Sequence, residues 1–279
     1  FEAAASVGEG TEVTIYPRIE PLPYWRLPAA SLEGSHSAPE RTIQTTALAT
    51  TVRPWAPGDA FNRIHWPSTA RHRAIQVKEF ELEQTADVWI VLDLHAPAQA
   101  GEADDSTVEA AVRAAASIAH HALAENRSLG MTVNAAHVTL LPSDRGGRQR
   151  LKAMQLLAAV DGDGQAPLAE TLVATMPRLR RGMAVVVVTP SLDREWVRPL
   201  GMLRGRGVAT VVVALDAVSF AEATEGRVWP PLDHEPPSEE AAAERRAAAT
   251  SGRSALRQAL AEYGIGLHVV HADQPLAEA

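Results

Sequence analysis

The stretch Arg53-Pro-Trp-Ala-Pro-Gly-Asp-Ala-Phe-Asn-Arg-Ile-His-Trp-Pro-Ser-Thr-Ala-Arg71 gathers cations, an acid, a histidine, two indoles and two hydroxyls into one non-repetitive segment. Three chemistries fit those residue types. Ser68 or Thr69 could be a nucleophile with His65 as its base and Asp59 orienting the imidazole, the arrangement of a hydrolase. Against it, no Gly-x-Ser-x-Gly elbow is present, and triad members seldom lie this close in sequence. Arg53, Asp59, Arg63 and Arg71 could instead form an ion-pair network with Trp55 and Trp66 packed beneath it, a clasp between this segment and the rest of the protein. The same Trp and Arg residues also suit a partner-docking surface. The ion-pair reading carries the most weight and catalysis the least. Arg53, Trp55, Asp59, Arg63, His65, Trp66 and Arg71 are therefore structural or partner-binding candidates, and no residue is assigned to catalysis.

A second place for chemistry is the carboxyl end of buried strands, where open α/β sheets hold ligands. Val88-Trp-Ile-Val-Leu-Asp93 ends in an acid, and Thr189-Pro-Ser-Leu-Asp193 follows another apolar run. Asp93 and Asp193 are candidate ligands of a degraded Mg²⁺ site. The following Leu94-His-Ala-Pro97 supplies no hydroxyl, whereas Mg²⁺ demands near-octahedral oxygen ligands. The expectation is a protein without a cofactor, with Asp93 capping loop amides. Gly-x-Gly-x-x-Gly after the first apolar strand and Gly-x-x-x-x-Gly-Lys-Ser/Thr are both missing, and Asp161-Gly-Asp-Gly164 reads as a turn between helices. His65, His72 and His95 share no metal-ligand spacing.

The elements that must position these groups fall into two parts. Residues 1–84 are rich in Pro, Thr and Ser, with extended segments at 12–16, 42–52 and 75–83; the last loses its alternation near Lys78-Glu79, as at a bulge. Residues 85–279 alternate apolar strands with Ala-rich helical periods. Strands are expected at 88–93, 133–138, 183–189, 208–215 and 267–270, with a short edge segment near Leu140-Leu141. Helices are expected after the Ser106/Glu109 capping pair up to a stop at Gly130, at 149–160, 168–179 and 197–206, and from Ser238 to Tyr263 with a break near Ser251-Gly252. Residues 229–237 read as an acidic Pro-rich loop. This β-α-β succession specifies an α/β, mostly parallel, doubly wound sheet preceded by a smaller β-rich module.

At 279 residues and 46% hydrophobic content the chain can bury a sizeable core. Its net charge of -8 argues against a nucleic-acid partner, and the lack of cysteine excludes disulfides and thiolate sites. The longest apolar runs fall far short of the ~20 residues that span a bilayer. A start at Phe1 with no Met is expected of a fragment of a longer protein.

The signature Arg53, Pro57-Gly-Asp59, Arg63-Ile-His-Trp66 and Thr69-Ala-Arg71, followed by Lys78-Glu-Phe-Glu81 and Asp93, resembles a bacterial family known as domain of unknown function fifty-eight. Trp55 stands where that family usually has Tyr, and Val13-x-Ile-Tyr-Pro-Arg18 is similar to its lead-in. The resemblance implies a von Willebrand factor A-like sheet with an N-terminal module. It also implies membrane helices normally upstream, which would place the full-length protein at the cytoplasmic face of the membrane with this fragment soluble. It further implies a working link to a MoxR-type AAA+ ATPase, and no catalytic activity. The function expected is a non-enzymatic interaction or assembly component. The alternatives are a Mg²⁺-dependent ligand binder using Asp93 and Asp193, and a hydrolase using Ser68 or Thr69 with His65.

Overall fold

The computed structural model of the chain describes residues 14–22, 49–57, 59, 61, 64–80, 87–224, 238–274 and 276. Its contacts divide the chain into two compact units, Glu33–Thr85 and Phe1–Leu32 with Ala86–Ala279.

In the smaller unit, β1 (Ala49–Pro54) pairs antiparallel with β2 (Gln76–Phe80). The expected bulge is present, but its register shift falls on the β1 side, between Ala49 and Thr51, opposite Glu79 and Phe80. A short helix, α1 (Trp66–His72), lies in the connection. Residues 42–48 and 81–83 of the expected extended segments lie outside the described residues.

The larger unit is built on a six-stranded sheet. Its strands are β3 (Val88–Asp93), β4 (Leu129–Asn134), β5 (Val138–Asp144), β6 (Ala184–Thr189), β7 (Ala209–Leu215) and β8 (Gly266–Val270), in the order β5-β4-β3-β6-β7-β8. All neighbours run parallel except β5, which returns antiparallel along β4 as the edge. This is the α/β, von Willebrand factor A-like class expected. The apolar runs of β3, β6 and β7 are buried on both faces, and alternate residues feed two separate cores. Ile90, Leu92, Val186, Val188 and Val213 pack under α2 (Thr107–Ala124) and α3 (Gly146–Ala158). Trp89, Val91, Val185, Val187 and Val212 pack under α4 (Leu168–Thr175), α5 (Val197–Gly205) and α7 (Glu239–Glu262).

Several boundaries differ from the sequence expectation for identifiable reasons. Ser106 caps α2 by accepting from Glu109 N–H at 3.2 Å, but its own N–H donates to Ala103 O, so only half of the capping box forms. The helix stops at Glu125, and Asn126, at φ 58°, takes the left-handed turn expected of Gly130. Gly130 instead sits inside β4, opposite Trp89 in register, which moves this strand earlier than the expected 133–138. A Cβ there would lie 2.3 Å from the Trp89 ring, so glycine here is a packing requirement.

Helix α7 runs unbroken through Ser251-Gly252. One glycine costs a helix interior only about 1 kcal/mol, and the buried side chains Leu256 and Leu260 anchor the far end. A helix absent from the sequence reading, α6 (Ala217–Thr224), comes directly after β7, held by buried Phe220 and by Ser219 Oγ donating to Asp216 O at 2.8 Å. Residues 14–16 form no strand, and Ile15 and Tyr16 are exposed; Glu12 and Val13 lie outside the described residues, as does the loop 229–237. Within the larger unit, residues 20–22 pack this N-terminal stretch against α2 and the C-terminal segment. Glu20 N–H donates to Ser117 Oγ at 2.9 Å, Glu20 Oε2 accepts from Leu276 N–H at 3.0 Å, and Leu22 enters the core. No helix among the described residues is long and apolar enough to cross a membrane.

Candidate functional site

The signature segment is the connection between β1 and β2, closed on itself by backbone bonds. Trp55 N–H donates to Ile75 O at 2.9 Å, and His65 N–H donates to Gln76 O at 2.7 Å. Within it, Ala56-Pro57 leads into a tight turn in which Asp59 N–H donates to Ala56 O at 3.1 Å and Asp59 Oδ2 accepts from Ala56 N–H at 2.8 Å. Gly58 lies outside the described residues. Arg53, at the end of β1, grips both Asp59 oxygens as a fork at 2.7 and 2.8 Å. Trp55, half-buried, donates its indole N–H toward Asp59 O at 3.4 Å and meets the Phe61 ring at 6.4 Å between centroids.

Only part of the expected network is therefore seen. Arg63 lies outside the described residues, and Arg71 is exposed with no described ion pair. Trp66 is not packed beneath the charges: it is 67% exposed at the first position of α1, a helix with no buried residue. Phe61 is 75% exposed. The segment thus exposes two aromatic rings, and Arg71, His72 and Arg73 further along it are exposed as well.

The hydrolase constellation is also incomplete. His65 Nδ1 lies 2.7 Å from Ser68 Oγ, but the same nitrogen accepts from Ser68 N–H at 3.3 Å, so the imidazole acts as the N-cap of α1. Thr69 Oγ1 accepts from Gln76 N–H at 3.0 Å. Asp59, gripped by Arg53, makes no described contact with His65.

Asp93 ends β3 where the chain reverses its direction of travel across the sheet, between β4 and β6. Its carboxylate is fully buried and is satisfied by three donors from three places. Thr189 Oγ1–H from the end of β6 donates at 2.6 Å, Asn134 Nδ2 from the end of β4 at 3.3 Å, and His95 N–H at 3.2 Å. Burial pushes the Asp93 carboxyl above its usual range, since removal from water penalises the ionised form more than these donors favour it. The loop beyond is pinned by Gly164, which accepts from Ala96 N–H and donates to Leu94 O, each at 2.9 Å. A Cβ at Gly164 would lie 2.6 Å from two backbone oxygens, Asn134 O and Leu94 O. Asp161-Gly-Asp-Gly164 lies between α3 and α4 as expected, and its last residue, Gly164, adds a single parallel bridge to His95.

Asp193 is exposed, and its Oδ1 accepts from Glu195 N–H at 3.1 Å. Among the described residues no three His, Asp or Glu side chains group as metal ligands. The oxygens of Asp93 already face protein donors, so the residues present do not fit a Mg²⁺ site.

A third cluster escaped the sequence reading. Asp216, 8% exposed at the end of β7, has Oδ2 3.0 Å from His271 Nδ1, just beyond β8, and receives Arg253 of α7 in an ion pair. The only local sign was an acid directly after an apolar strand, as at Asp93; its partners come from distant parts of the chain.

Two curated relatives are the uncharacterized protein Rv1480 of Mycobacterium tuberculosis, 32% identical over 174 residues, and the uncharacterized protein YeaD of Bacillus subtilis, 24% identical over 171 residues. These matches take in 59% and 61% of this chain, but 53% and 40% of the relatives, so the chain spans about half the length of the curated relatives it matches. Among solved structures, an aerotolerance-related membrane protein from Bacteroides fragilis and the conserved hypothetical protein BatB from Bacteroides thetaiotaomicron align at TM-score 0.44 and 18% identity. Each alignment covers 67% of this chain, and 93% and 90% of the respective structures. The model of the family described as "Protein of unknown function DUF58" matches residues 51–225, which carry both the Pro-Gly-Asp turn and the Asp93 rim, and the chain belongs to that family.

Proposed function

We propose that this chain is a non-enzymatic interaction and assembly component of a membrane-associated protein, working at the cytoplasmic face with a MoxR-type AAA+ ATPase. The observation that carries the reading is the exposure of the Trp66 and Phe61 rings in a segment that also exposes Arg71 and Arg73. Exposed aromatics and arginines are the groups that dominate protein interfaces when a partner desolvates them. The saturated Asp93 carboxylate and the capping role of His65 support the same reading, because neither is left available for chemistry.

Co-purification of the full-length protein with a MoxR-type ATPase of the same cell tests this. Trp66→Ala and Phe61→Ala each remove an exposed ring, so the fold should keep its melting temperature while recovery of the ATPase falls by about tenfold or more. No capture by the unaltered protein with ATP, with ADP or without nucleotide would end the ATPase assignment. The role requires no cofactor, and calorimetric titration with Mg²⁺ is expected to give no saturable heat. A saturable signal lost in Asp93→Asn would instead favour the metal-dependent binder.

A further inference from the structure

The larger unit holds a cavity of about 250 Å³ beside the Asp216 cluster, between the tethered residues 17–22, helix α2 and the segment just after β8. Its floor is apolar, made by the buried side chains of Phe220, Val270 and Leu276. Its rim carries Arg18, Glu20, Arg113, His271 and Asp273.

These charges are not equivalent. Glu20 is occupied: Oε2 accepts from Leu276 N–H at 3.0 Å, and Oε1 lies 3.8 Å from Arg113 Nε. His271 lies against Asp216, its Nδ1 3.0 Å from the buried carboxylate that Arg253 also pairs with. Arg18 and Asp273, by contrast, are exposed and have no described hydrogen bond or ion pair. The lining therefore offers one unneutralised guanidinium and one unneutralised carboxylate above an apolar floor, and Arg18 plus Arg113 balance Glu20 plus Asp273.

A rim that carries both signs does not select a simple anion, which Asp273 would repel. It suits a ligand that carries both signs and a short apolar group. The volume is below the ~300–1,000 Å³ of sites for drug-sized molecules, which limits the ligand to about one residue. We infer that this cavity binds a free α-amino acid with an aliphatic side chain, its carboxylate on Arg18 and Arg113, its ammonium on Asp273 and its side chain over Phe220. The site is separate from the aromatic face of the smaller unit and does not depend on the interaction role proposed above.

The test is titration of the isotopically labelled chain with L-leucine, followed by the amide resonances of Ala272, Asp273 and Gln274. Saturable shifts are expected. N-acetyl-leucine lacks the ammonium and leucinamide lacks the carboxylate, so each should bind about tenfold more weakly or worse, the loss of one charge-assisted contact. Arg18→Gln and Asp273→Asn should each weaken leucine by a similar factor. Both side chains are exposed, so an unchanged melting temperature shows that the fold is intact in each. Arg18→Gln should leave leucinamide unaffected, and Asp273→Asn should leave N-acetyl-leucine unaffected. The proposal is overturned by linear, non-saturating shifts with leucine, by either derivative binding as well as leucine, or by leucine affinity that survives both substitutions.

Discussion

Asp93→Ala is expected to lower the stability of the chain by about 3–5 kcal/mol in urea unfolding, because it strands three donors at once, two of them side chains inside the sheet. Thr189 Oγ1–H, Asn134 Nδ2–H and His95 N–H all converge on this carboxylate. A buried donor left without an acceptor costs about 1–3 kcal/mol. The carboxylate also ties the ends of β3, β4 and β6 together at the point where the strand order reverses, so the loss is cooperative. A loss below about 1 kcal/mol would show that water reaches the rim and replaces the carboxylate. Asp93→Asn, which keeps one acceptor oxygen, should be milder.

The pH dependence separates the charge from the bonds. Asp93 has a folded pKa above its ordinary value of 3.8, so between the two values the unfolded chain has released a proton that the folded chain still holds. Stability assigned to this group is therefore fully present below 3.8 and declines as pH rises through the folded pKa. Measured against Asp93→Asn, the original protein should lose relative stability across that window and run parallel to the variant below it. A relative gain with rising pH would mean that the donors outweigh burial.

Gly130→Ala is expected to cost about 2–3 kcal/mol, near the upper end for overpacking. The new Cβ would sit 2.3 Å from the Trp89 ring, which is buried and fixed by its indole N–H donating to Thr132 Oγ1 at 2.9 Å. Neither strand can slide away, because β3 is paired on both sides. Trp89→Leu alone should cost several kcal/mol through the cavity it leaves. The double variant should be distinctly less damaged than the sum of the two, since Leu makes room for the methyl. Simple additivity would place the strain of Gly130→Ala elsewhere.

Much of the fold was legible because its signals are local. Val88 to Asp93 is apolar at every position before the final acid, the pattern of a strand buried on both faces, and the alternation of such runs with capped helical periods specifies parallel crossovers. Ser106 and Ser238 mark their helix starts by side-chain chemistry within one turn. The turn between Ala56 and Asp59 was readable for the same reason, as was Arg53 as the partner of Asp59. Where two local signals competed, packing decided. Gly130 was as good a helix stop as a strand residue until Trp89 was placed opposite it, and Gly252 was as good a break as an interior residue until Leu256 and Leu260 anchored the helix beyond.

The sites divide along the same line. The amino-acid order alone determined that an acid ends β3, that a charged turn precedes it, and that no nucleotide loop comes after it. Only the tertiary structure decided that Asp93 is saturated by Thr189 and Asn134, that Trp66 is bare, and that Asp216 and His271 meet beside a cavity. Helix periods and turns are set by steric and hydrogen-bonding limits within a few residues, so they are written in the sequence. The partner of a buried charge is set by which strand ends the sheet brings together, and that is fixed only when distant segments close on one core.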